Sequence, residues 1–167
     1  MTTVVERVVR RKLKRPLGHA QALLGTLGRL RFEGRHQRGT NMRHSARALE
    51  ALRASLSTQM AAEEERVFPF LRQTLPKFDP ALRVLLSEHR QIREKLREVD
   101  RLLSRATTRR RRSLYDGSDE VYAKGLYLGC LIRGHLRAES RCLYGAVARK
   151  LSLAERRRLV RLIEEMS

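Results

Sequence analysis

The sequence has no tryptophan and only four Phe and four Tyr. A core must then come from Leu, Val and Ala, and no aromatic platform for stacking nucleic-acid bases accompanies the chain's charge. Glycine (10) and proline (4) are also scarce in 167 residues, while Leu, Ala, Arg and Glu dominate. That balance favours helices throughout, so the expected class is all-α. Only two cysteines occur, Cys130 and Cys142, twelve residues apart on one expected helix. The helical rise separates them by about 18 Å, too far for a bridge, which leaves reduced thiols as the simpler reading. No long hydrophobic run is present. The most apolar stretch, Ala20–Leu30, is interrupted by Gln21, Thr26 and Arg29, too short and too polar to span a bilayer. The basic start has no apolar segment behind it of the signal-peptide type, so the default expectation is a cytoplasmic protein. A glycine-rich phosphate loop and a recognisable nucleophile triad are missing as well.

Acidic residues are half as numerous as basic ones, 18 against 37, which gives a formal net charge of +19. The basic residues concentrate at Arg7–Arg15, Arg109–Arg112 and Arg156–Arg161. Such a field attracts nucleic acid, anionic membranes or acidic proteins, or it simply solvates the surface.

Apolar spacing marks four long helices and a short one. The first is expected over Pro16–Phe32, on Leu17, Ala20, Leu23, Leu24, Leu27 and Leu30; the basic residues before it either extend the helix or stay loose. Gly34–Thr40 reads as a loop, and Asn41 as the cap of a second helix running to Leu75 with a bend at Pro69. Asp79-Pro80 starts a third helix reaching Ser104. The Arg-rich stretch 105–117 ends in the loop signal Asp116-Gly117, and a fourth helix spans Ser118 to Lys150. Ser152-Leu-Ala-Glu155 is a capping box for a short final helix. The organisation expected is one domain over residues 1–167. Within it, 16–150 form an antiparallel four-helix bundle and 151–167 a short C-terminal helix.

Five polar residues occupy positions where the helical pattern calls for apolar ones: His19, Glu63, His89, His135 and Glu139. Each then points into the bundle. Burying two carboxylates unpaired costs several kcal/mol each on an order-of-magnitude view, and a bound cation removes that cost. His135 and Glu139 stand at i,i+4 on one helical face. A mixed nitrogen and oxygen donor set suits iron, zinc or manganese more than calcium or magnesium. A weak internal repeat aligns Glu63-Glu-Glu-Arg-Val-Phe-Pro with Glu139-Ser-Arg-Cys-Leu-Tyr-Gly, pairing Gln59 with His135 and Phe68 with Tyr144. Two facing carboxylates fit a two-metal centre. His36, in a polar loop, and His44, off the apolar stripe, read as surface residues. Glu64, Glu65 and Glu88 are either partners of the ligands or part of a solvated face.

The order of His19, the step from position 59 to EEERVFPFL, SEHRQIR on the third helix and HLRAE on the fourth resembles hemerythrin-like HHE cation-binding domains. The resemblance covers about Pro16 to Lys150. It implies a non-haem di-iron centre, with Glu63 and Glu139 as bridging carboxylates and His19, His89 and His135 as terminal imidazoles. The family's second-helix His is Gln59 here, which offers an amide oxygen, a weaker donor. The slot of a second His one turn after His89 holds Arg93, so the five-His oxygen-carrier pattern is not reproduced.

These features lead to the expectation of a metal protein with iron, two ions in the family pattern, or else one ion or another transition metal. It would bind or sense dioxygen, nitric oxide or peroxide. A redox enzyme acting on peroxide or ferrous iron is the first alternative. The second is a metal-poor basic helical module binding an acidic partner or nucleic acid.

Overall fold

Val5, Val8, Val9 and Leu13 lie on one buried stripe among the arginines of the N-terminal segment, so that segment is amphipathic and continues the first helix backwards. In the computed structural model, which describes residues 4–32, 38–108 and 114–165, helix α1 accordingly spans Val4–Phe32 with Pro16 inside it. Helix α2 covers Arg38–Ala62, α3 Phe68–Thr74, α4 Asp79–Thr108, α5 Leu114–Arg137, α6 Gly145–Ala148 and α7 Leu153–Glu164. No strand occurs among the described residues, and no described helix is long and apolar enough to cross a membrane.

Two π-helical turns interrupt the pattern, Glu63–Val67 between α2 and α3 and Ala138–Tyr144 between α5 and α6. The bend expected at Pro69 takes this form. Proline has no backbone N–H to give to Glu65, so the α-helical ladder is already broken there. The wider turn sits directly ahead of it, with the Phe68 N–H reaching back five residues to the Glu63 carbonyl. The second turn ends directly before Gly145, which the internal repeat pairs with Pro69. Each helix thus widens beside its inward-facing glutamate and ahead of a poor helix former.

Three boundaries differ from the sequence reading. Asn41 is not the cap of α2, which already begins at Arg38, and Asn41 is buried inside the helix. The helix expected third, α4, continues past Ser104 to Thr108, because Ala106 extends its buried stripe. Asp116-Gly117 is helical and not a loop, since α5 begins at Leu114. Adding residues to an existing helix costs little, and one helical glycine costs only about 1 kcal/mol, less than the packing of the turns that follow. His36 and Arg109–Arg112 lie outside the described residues.

The chain packs as two compact units, each built from a segment of every long helix. One comprises Met1–Arg15, Ser55–Arg90 and Gly134–Ser167, the other Pro16–Ala54 and Gln91–Arg133. Successive long helices enter the units in opposite order, so neighbours in sequence run antiparallel within each unit. The result is an all-α, antiparallel four-helix bundle. The second unit is filled by Leu23, Leu27, Leu49, Leu52, Ile92, Leu96 and Leu128. The first unit carries α7, opened by the Ser152–Glu155 capping box and held by buried Leu159 and Ile163. Arg66 in the first π turn donates to the Glu165 carbonyl at 3.1 Å and pairs with its carboxylate at 3.4 Å, tying that turn to the end of α7.

Candidate metal centre

The first unit buries four ionisable side chains together: Glu63 from the first π turn, His89 from α4, His135 from α5 and Glu139 from the second π turn. None is more than 2% exposed, and one donor atom from each lies within 4.8 Å of every other. The helical phase that replaces an apolar residue by a polar one at each position accounts for the convergence.

The hydrogen bonds around the imidazoles fix which atoms face inward. His89 Nδ1 donates to Glu64 Oε1 at 2.7 Å, and His135 Nδ1 donates to Glu88 Oε2 at 2.8 Å. With both Nδ1 atoms used as donors, the Nε2 atoms are the ones that carry the lone pairs of the neutral imidazoles, and they face each other at 3.1 Å. Glu139 Oε1 lies 3.0 Å from His135 Nε2 and 3.6 Å from His89 Nε2, and Glu63 Oε2 lies 3.5 Å from His89 Nε2. Those two carboxylate oxygens are buried without a hydrogen-bond partner. Four electron-rich atoms therefore converge on one space. Only a cation, as protons or as a metal, satisfies them.

The titration behaviour has the same origin. Burial, aided by the charge of Glu139, drives the Glu63 carboxyl up to about 8. For Glu139 burial works in the same sense, but the charge of His135 beside it outweighs burial and holds this group below the usual carboxylate range. Burial disfavours the charged form of His89, yet the Glu139 and Glu63 carboxylates that face it prevail and push it up to about 10. His135 is raised too, by Glu139 and Glu88 against the effect of burial. The Phe68 ring stacks on His89 with centroids 5.7 Å apart and limits that imidazole's rotation.

The remaining carboxylate oxygens face the other way. Gln59 Nε2 donates to Glu63 Oε1 at 3.3 Å and to Glu139 Oε2 at 3.2 Å. The Tyr144 hydroxyl also donates to Glu63 Oε1, at 3.2 Å. Burial, with the charges of Glu63 and Glu139 beside it, raises Tyr144 well above its ordinary range and keeps it a donor.

His19 is half-buried in the second unit and is not one of the four clustered residues; its Nδ1 is buried without a hydrogen-bond partner. His44 and Glu65 are exposed. Cys130 is an exposed free thiol, because its position falls between buried Leu128 and Ile132 on the outer side of α5. Of the three glutamates left open by the sequence, Glu64 and Glu88 hold the imidazoles. Tyr144 was legible only as the repeat partner of Phe68, and a hydroxyl at an otherwise apolar position was the signal for its polar role.

The donor set fits a transition-metal ion: two imidazole nitrogens and two carboxylate oxygens, with each imidazole fixed by an outer carboxylate. No curated protein and no solved structure matches the chain significantly. The family model described as the hemerythrin HHE cation binding domain matches residues 13–139. That span exceeds half of the chain and contains all four clustered residues, and the chain belongs to the hemerythrin HHE cation-binding domain family.

Proposed function

We propose that this protein holds non-haem iron in the cluster of Glu63, His89, His135 and Glu139, and that it binds or senses a small ligand there, such as dioxygen, nitric oxide or peroxide. The observation that carries this reading is the convergence of two imidazole Nε2 atoms and two unpartnered carboxylate oxygens from four buried side chains. The family's cation-binding character and the mixed nitrogen and oxygen donors favour iron over calcium or magnesium.

The chain's own residues do four things in this reading. His89 Nε2, His135 Nε2, Glu63 Oε2 and Glu139 Oε1 hold the ion. Glu64 and Glu88 fix the imidazole tautomers and raise their basicity. Phe68 keeps the His89 ring in place, and buried Met60 and Val67 belong to the apolar interior that excludes bulk water. Bound iron supplies a redox couple and, beyond four protein donors, coordination positions for a small ligand.

The test is elemental analysis after anaerobic loading with ferrous iron, followed by nitric oxide addition under an absorption spectrometer. Stoichiometric iron and a new visible band on nitric oxide are expected. Only traces of metal after loading would overturn the reading. Catalytic consumption of peroxide or ferrous iron by the loaded protein would replace a binding role by an enzymatic one.

A further inference from the structure

We infer that this centre is built for a single metal ion, because the Gln59 amide occupies the position from which a second ion would be held. The inference rests on the metal-binding reading above and concerns how many ions it admits. Each of the two buried carboxylates is divided between two tasks. Glu63 Oε2 and Glu139 Oε1 turn toward the imidazole pair and have no hydrogen-bond partner. Glu63 Oε1 and Glu139 Oε2 turn away and share one donor, Gln59 Nε2, at 3.3 and 3.2 Å.

In a centre with two bridging carboxylates, this outer pair of oxygens would face a second cation. Here a neutral amide nitrogen faces them, and the Tyr144 hydroxyl adds a further donor to Glu63 Oε1 at 3.2 Å. The amide orientation follows from its surroundings. The reverse rotamer would set a carbonyl oxygen against two carboxylate oxygens at the same distances, acceptor against acceptor. Gln59 is itself only 6% exposed, so water does not compete for those bonds. One divalent ion on the imidazole side balances the two carboxylate charges. The other side is completed by hydrogen bonds that carry no charge.

The internal repeat makes the exchange explicit. Gln59 precedes Glu63 by the same four residues by which His135 precedes Glu139. His135 turns a lone pair to the ion, whereas Gln59 turns a donor to the carboxylates. Equivalent positions of the two halves of the repeat thus carry opposite hydrogen-bonding polarity, both of them against Glu139.

The experiment loads the full chain anaerobically with ferrous iron and counts bound ions by elemental analysis and native mass spectrometry. A parallel sample loaded with manganous ion is read by electron paramagnetic resonance. Wild type is expected to saturate at one ion per chain, with the spectrum of an isolated manganous ion. Gln59→His, which supplies a lone pair in place of the donor, is expected to take up a second ion and to show a coupled pair. Two ions in wild type would overturn the single-ion inference and leave the metal reading intact. No bound ion would overturn the metal reading and the inference with it. A folded Gln59→His protein that still stops at one ion would overturn the role given to the amide. Should that variant fail to fold, Gln59→Glu makes the same test, and the wild-type count stands by itself.

Discussion

Glu88 Oε2 accepts a hydrogen bond from Nδ1 of His135 at 2.8 Å, and so the residue directly before one buried imidazole holds the other. The arrangement is reciprocal across helices: Glu64, directly after Glu63, holds His89 at 2.7 Å. Each outer carboxylate therefore sits next in sequence to a clustered side chain and serves a different one.

Loss of either outer carboxylate leaves an imidazole free to rotate or to change tautomer. Glu88→Gln is expected to weaken metal binding by roughly 10–100-fold while helicity is retained. Glu64→Gln should act in the same way through His89. Glu65→Gln, on an exposed residue of the same π turn as Glu64, should leave affinity unchanged. Competition titrations with a chelator measure all three. Equal affinity for Glu88→Gln and Glu65→Gln would remove Glu88 from the site.

Two helical glycines of the second unit predict opposite outcomes for one substitution. A Cβ at Gly129 would lie 2.7 Å from Leu24 Cδ2 and 2.9 Å from its Cδ1, whereas one at exposed Gly25 meets nothing within 4 Å. Gly25→Ala is expected to stabilise the fold by about 0.5–1 kcal/mol through lower unfolded-state entropy. Gly129→Ala gains the same term but must displace the half-buried Leu24 side chain, at a cost of about 1–3 kcal/mol. Denaturant unfolding should give shifts of opposite sign. Two shifts of the same sign would show that Leu24 moves aside freely.

Much of this was legible because buried polar residues on helices are conspicuous. His89, His135, Glu63 and Glu139 each break an apolar stripe, and a stripe fixes which way a side chain points. The Ser152–Glu155 capping box was equally legible, since its two reciprocal bonds are local. The π turns were not, because a wide turn shifts the apolar phase by a single residue, within the tolerance of a helical pattern. Pro69 and Gly145, each six residues after an inward glutamate, were the trace they left. The roles of Glu64 and Glu88 depended on helices meeting in space, and nothing in either local sequence separates them from exposed Glu65. The orientation of the Gln59 amide depended on two carboxylates, one of them 80 residues away.

Acid should weaken the second unit through Glu98. Its carboxylate bonds Lys124 Nζ and Lys95 Nζ at 2.8 Å each, and these bonds, that of Lys124 foremost, lower it from 4.5 to about 2. A depressed carboxylate contributes stability that is fully present above the unfolded value and is lost as pH falls toward the folded one. Wild type should exceed Glu98→Gln in stability at neutral pH, and the gap should close between about 4.5 and about 2. Both lysines keep some solvent contact, so the gap is small and salt-sensitive. A gap that stays constant over that interval would show that the depression does not arise from these pairs.

Tyr144 offers a way to separate the hydrogen-bonded side of the carboxylates from the side that faces the imidazoles. Its ring is 1% exposed, and its hydroxyl donates to Glu63 Oε1 at 3.2 Å. Tyr144→Phe keeps the ring and removes only that donor, at a position whose repeat partner is already Phe68. Glu63 Oε1 retains its bond from Gln59, so no carboxylate oxygen on that side is left wholly unsatisfied. The expected loss is about 0.5–1.5 kcal/mol, the net worth of one intramolecular hydrogen bond. Metal content should be unchanged, because Glu63 Oε2, the oxygen turned toward His89, is not touched by the substitution. Thermal unfolding and elemental analysis on the same preparation test both halves. A stable variant that has lost its metal would show instead that the tyrosine aims Glu63 at the ion, making the two sides of the carboxylate one coupled device.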